Sequence, residues 1–159
     1  KDPNTEMRIL HNNNISSLLA VDAPMLRGEI AYHEGNHEKG FEYLRKAVKL
    51  QDELNYDEPW GRMQPIRHAL GGLLLEQGHL VEAEKVFRID LKFHPRNPFG
   101  LVGLIKCLQK QINSGLLMAD HCDECHAEMQ DLRNQLVLQR KSQWADFDIQ
   151  VPCLCCSKE

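Results

Sequence analysis

The run His121-Cys122-Asp123-Glu124-Cys125-His126 sets two thiols three residues apart, with imidazoles on both sides. That is the local spacing of half a zinc site. The other half would have to come from Cys153, Cys155 or Cys156 in the tail, and no second C-x2-C pair stands at a suitable distance. Cys122 and Cys125 also fall on an apolar stripe, where cysteine acts as a small hydrophobe. No metal is therefore expected, with Cys122, Cys125, Cys153 and Cys155 as the alternative set. Cys156-Ser157-Lys158-Glu159 has the length of a prenylation box, but Lys and Glu are poor residues for one. No phosphate loop, H-E-x-x-H or G-x-S-x-G appears, so no catalytic residue and no cofactor are expected.

Asp57-Glu58-Pro59-Trp60, followed by Arg62, Arg67 and His68, is the densest polar and aromatic stretch. One reading makes Trp60 an anchor in a wall beside a binding groove. The other makes Pro59 and Pro65 turn residues, Trp60 a plug in an apolar gap, and Arg67 the partner of Asp57 or Glu58.

The elements that would hold these residues are helices that recur. Leu26 to Gly35 and Leu70 to Gly78 are each a helical stretch closed by glycine, and each leads into a second helical pattern. Gly28, Gly35 and Gly40 find equivalents in Gly71, Gly78 and Ala83, 43 residues later. Small residues at such positions let two helices cross closely, and Pro95 stops the second helix of the second pair. A third pair opens at Asn97-Pro98, a cap followed by proline. It turns at Asn113-Ser114-Gly115 and continues into a long helix. Met118, Cys122, Cys125, Met129, Leu132 and Leu136 form the apolar stripe of that helix.

Composition agrees with a globular helical chain: 159 residues, 42% hydrophobic and 26% charged, with formal net charge −4. An acidic balance disfavours nucleic acid and anionic membrane as partners. No apolar run approaches the roughly 20 residues that span a bilayer. The six cysteines cluster after residue 100, which favours reduced thiols and a cytoplasmic setting over a disulfide framework.

Arg67, Leu70, Gly71 and Leu74, then Ala83, Phe87 and Pro95, stand at the spacing of the tetratricopeptide repeat (TPR). The chain resembles a group of uncharacterised TPR-containing proteins. The likeness rests on Met25 to Tyr32, Leu44 to Val48, Tyr56-Asp57-Glu58-Pro59-Trp60-Gly61, Met63-Gln64-Pro65, Arg67 to Gly71 and Leu74 to Gly78. It departs from the group at Arg62, where a bulky aromatic is usual, and in the short link from Phe93 to Asn97. The resemblance implies the C-terminal part of such a protein, without the further N-terminal repeats the group usually has.

The expected fold is all-α: a TPR-like array of about three antiparallel helical hairpins in a short right-handed superhelix, with a long C-terminal capping helix. Residues 1-22 are expected to be a linker or the end of a preceding hairpin. Residues 23-145 form the helical domain, with hairpins at about 23-54, 64-94 and 98-145, and 146-159 is an irregular tail. The repeat register puts Glu29, Tyr32, His33, His68, Glu76, Lys106 and Gln109 toward a concave groove, joined by Glu58, Trp60 and Arg67. The expected function is a scaffold or adaptor holding a peptide or partner domain in that groove. The alternative is a small-molecule or metal module using the same groove. Self-association through the N-terminal edge stays open.

Overall fold

The computed structural model describes residues 8–57, 64–116, 119–143 and 149, with side chains excepted at 119–122 and 140–143. Two short strands, β1 (Ile9–Leu10) and β2 (Asn13–Asn14), precede six helices. These are α1 (Ile15–His33), α2 (His37–Asp52), α3 (Ile66–Glu76), α4 (Leu80–Phe93), α5 (Pro98–Asn113) and α6 (Ala119–Gln143). The chain is an all-α array of helical hairpins. It divides into two compact units, one ending at Ile66 and one starting at Arg67.

Three helices end in the same way. Gly35, Gly78 and Gly115 follow α1, α3 and α5 with φ of 86°, 82° and 68°. At each end one amide reaches back five residues and its neighbour three: Asn36 to Ala31 with Gly35 to Tyr32, His79 to Leu74 with Gly78 to Leu75, and Leu116 to Gln111 with Gly115 to Ile112. This is the Schellman arrangement, which satisfies the last carbonyls and turns the chain, and glycine supplies its left-handed residue without a Cβ clash.

The first unit is built on the α1–α2 crossing. A Cβ on Gly28 would lie 2.8 Å from Leu44 Cγ and 3.1 Å from the Gly40 carbonyl oxygen, so the two helices meet almost backbone to backbone. Val21, Met25, Tyr32, Phe41, Leu44 and Ala47 fill the interface. The asparagine run that precedes α1 closes this unit. Asn12 N–H donates to Asp57 Oδ1 at 2.8 Å, and Asn13 Nδ2 donates to Asp57 Oδ2 at 2.7 Å. Asn55 and Asn13 exchange further bonds, Asn55 N–H to Asn13 Oδ1 and Asn13 Nδ2 to the Asn55 carbonyl. Asparagine suits this clamp because its amide donates and accepts at once. Helix α1 thus starts at Ile15, ahead of the expected boundary at residue 23, with Pro24 buried inside it.

The second unit repeats the same crossing. Phe87 of α4 stands where Leu44 stands in α2, and a Cβ on Gly71 of α3 would come within 2.6 Å of its ring. A Cβ on Gly103 of α5 would meet the same ring at 2.4 Å. Phe87 thereby lies against two glycines and is fully buried. Residues Ile66 to Leu75 of α3 are all buried, Arg67 and His68 included. Asn97 caps α5 by accepting from the Phe99 and Gly100 amides at 3.0 and 3.4 Å, with Pro98 at the first helical position.

Helix α6 is fastened through polar contacts as well as through Met129 and Leu132. Arg88 of α4 donates to both carboxylate oxygens of Glu128, at 2.6 and 2.8 Å, and to Glu84 at 2.7 Å. Gln111 of α5 donates to Glu84 at 2.6 Å. The Glu128 fork raises the Arg88 pKa further, so the guanidinium stays charged. The pair is part-exposed, so its value lies in geometry more than in energy.

Candidate functional site

The expected groove residues divide between the two units. In the first, Tyr32 is 4% exposed and buried in the hairpin, with its ring 4.5 Å from that of His37 and 5.9 Å from that of Phe41. His33 is exposed and sits edge-on to Tyr32, and Glu29 is half-buried. Glu58 and Trp60 lie outside the described residues.

In the second unit, Arg67 and His68 are also interior. The Arg67 guanidinium lies 5.0 Å from the centre of the Phe93 ring. His68 Nε2 lies 2.9 Å from Asp90 Oδ2, with the two side chains 3% and 0% exposed. A Cβ on Gly100 would be 2.9 Å from that same oxygen, so the carboxylate rests against the first turn of α5. The positive end of a helix and an imidazole together explain how a carboxylate is held there. Of the two carboxylates expected as partners of Arg67, Asp57 accepts from Asn12 and Asn13, and Glu58 lies outside the described residues. Lys106 is exposed, and Gln109 donates along α5 to Asn113 at 3.1 Å.

His94 lies 3.9 Å from Asp90 Oδ1. Burial pushes its pKa below the ordinary value; Asp90 opposes this, and His68 and Arg67 add to it. The unfolded chain then binds a proton more readily than the folded one, so stability contributed by neutral His94 is present above about pH 6.5 and falls as pH drops below it. The urea midpoint should decrease between pH 7.5 and pH 6, and His94→Gln should reduce that decrease. An equal slope in the variant would assign the dependence to other groups.

Cys107 is buried, and desolvation, with a smaller push from Glu84, raises its thiol to about 12, which leaves it unreactive. Cys125 is half-exposed on α6, Cys153 and Cys155 lie outside the described residues, and nothing is described of the Cys122 side chain. Among the described residues no three His, Cys, Asp or Glu side chains converge as metal ligands. No described helix is long and apolar enough to cross a membrane.

Two surface features went unnoticed in the sequence. The first is a seam on α1: Leu19, Ala23, Leu26 and Ile30 are all exposed, at spacings of four, three and four. The opposite side of α1 is buried in the hairpin, so this helix carries apolar residues on both faces. The spacing is readable in the sequence, but residues 1-22 are expected there to be a linker or the end of a preceding hairpin. The second is a cleft of about 410 Å³ between the end of α4, the start of α5 and α6. Two of its basic residues, Lys92 and Arg96, lie beside and within the short Phe93–Asn97 link.

No family model matches the chain, and no solved structure matches it significantly. The chain is similar to the N-terminal acetyltransferase A complex auxiliary subunit NAA15 of Arabidopsis thaliana. It is 33% identical over 102 residues, 64% of this chain. The chain spans about a tenth of that protein's length.

Proposed function

We propose that this chain is a TPR-like scaffold segment that holds a partner polypeptide within a protein complex. The α1 seam carries this reading. Leu19, Leu26 and Ile30 are 52%, 59% and 48% exposed, on a helix whose other side already packs against α2. Apolar residues in heptad spacing along one helix fit a second helix laid against them. The likeness to an auxiliary subunit of an acetyltransferase complex supports a role in assembly and names a complex to test. The exposed His33 lies at the end of the same helix and is a candidate polar contact.

The test is co-purification of the tagged chain from its own cells, with acetyl transfer to peptide N-termini measured on the eluate. A stoichiometric partner is expected, together with that activity. Leu26→Lys/Ile30→Lys should lose the partner while far-ultraviolet circular dichroism stays unchanged, because both side chains face solvent. Retention of the partner by this variant would remove the seam from the account.

A further inference from the structure

We propose that the cleft between α4, α5 and α6 is a second docking site, for an acidic peptide segment anchored by one leucine-sized side chain. Leu101, Leu104 and Leu132 form its floor, with Leu91 on its wall. A volume of about 410 Å³ lies in the range of sites that enclose a small ligand or one large side chain. Charge decides the occupant. The chain as a whole carries −4, yet the cleft is lined by Arg88, Lys92 and Arg96 against the single carboxylate of Glu128. Glu128 is already spent on Arg88. Among the described residues neither Lys92 nor Arg96 enters an ion pair. Two exposed cations beside an apolar hollow complement carboxylates that flank an apolar residue.

Backbone geometry at Arg96 supports its use. Its φ is 63°, a left-handed conformation that costs a residue with a Cβ and that glycine adopts freely. This places the Arg96 side chain on the lining of the cleft at a conformational cost that glycine would not carry.

The site deepens the scaffold reading and rests on it, but it is tested on the purified chain, where the α1 seam plays no part. The probe is a fluorescein-labelled dodecapeptide with one leucine between pairs of glutamates. Two controls replace its glutamates with lysine or its leucine with alanine. Binding should weaken with added salt, and each control should bind at least about tenfold more weakly. Lys92→Glu/Arg96→Glu should lose a similar factor with its circular dichroism intact. Arg96→Gly should raise the melting temperature and still weaken binding, a combination that a purely structural arginine would not give. Equal binding by the lysine peptide, undiminished binding by the double variant, or no binding up to about 1 mM would each overturn the proposal. If the peptide binds and Leu26→Lys/Ile30→Lys still retains its partner, the seam fails and the cleft stands. The reverse pattern rejects the cleft alone.

Discussion

Phe87→Ala is expected to cost the second unit about 3–5 kcal/mol of stability. The ring is fully buried, and it lies against both Gly71 of α3 and Gly103 of α5. Both helices were brought within contact of it by having no Cβ of their own, so neither carries a side chain that can relax into the hole. The complementary change is Gly103→Ala, whose new Cβ would lie 2.4 Å from the ring and force it aside. Overpacking of this kind costs about 1–3 kcal/mol. Combining Gly103→Ala with Phe87→Leu should cost less than the two changes added, because the smaller side chain makes room for the methyl group. Urea unfolding supplies the energies, and hydrogen exchange in α3, α4 and α5 places them in this unit. A loss below about 1 kcal/mol for Phe87→Ala would mean that the three helices are not joined through the ring.

Much of this arrangement could be read in advance, because it rests on short-range rules. The glycine that closes α1, α3 and α5 needs only its own left-handed residue and the carbonyls one turn back. Asn97-Pro98 caps α5 for reasons held within three residues. The Gly28–Leu44 and Gly71–Phe87 crossings recur 43 residues apart because a short turn fixes which residues of a helix pair meet. What escaped the sequence depends on pairs that spacing does not link. Asn13 and Asp57 are far apart in the chain, and neither residue type announces the other, so a structural clamp resembled a polar interruption. The α1 seam escaped for a different reason: an apolar residue facing solvent has the same one-letter signature as one facing the core. Only the second apolar stripe on the same helix tells them apart, and that stripe begins at Val21, within the residues expected to be a linker or the end of a preceding hairpin. Glu58 and Trp60 lie outside the described residues.

His68→Ala should destabilise the second unit by about 3–5 kcal/mol and leave partner capture through α1 intact in whatever fraction remains folded. The repeat register made His68 a groove anchor, a role that predicts the opposite outcome: a stable protein that has lost its partner. Burial separates the two. Removing the imidazole strands the Asp90 carboxylate in an apolar interior, with only the first turn of α5 and the more distant His94 to offset its charge. The penalty is that of an uncompensated buried carboxylate rather than of one lost hydrogen bond, which is worth nearer 1 kcal/mol. Asp90→Asn, which keeps the shape and removes the charge, should therefore cost less than His68→Ala. Replacing both residues with leucine should recover much of the loss, since a buried polar pair contributes little beyond what apolar packing of similar volume provides. Strict additivity across the His68→Leu/Asp90→Leu cycle would rule out a direct pair. A coupling of a few kcal/mol would fix His68 as part of the support that sets α4 against α5, and so as a residue that shapes the cleft mouth at Lys92 and Arg96 without touching what binds there.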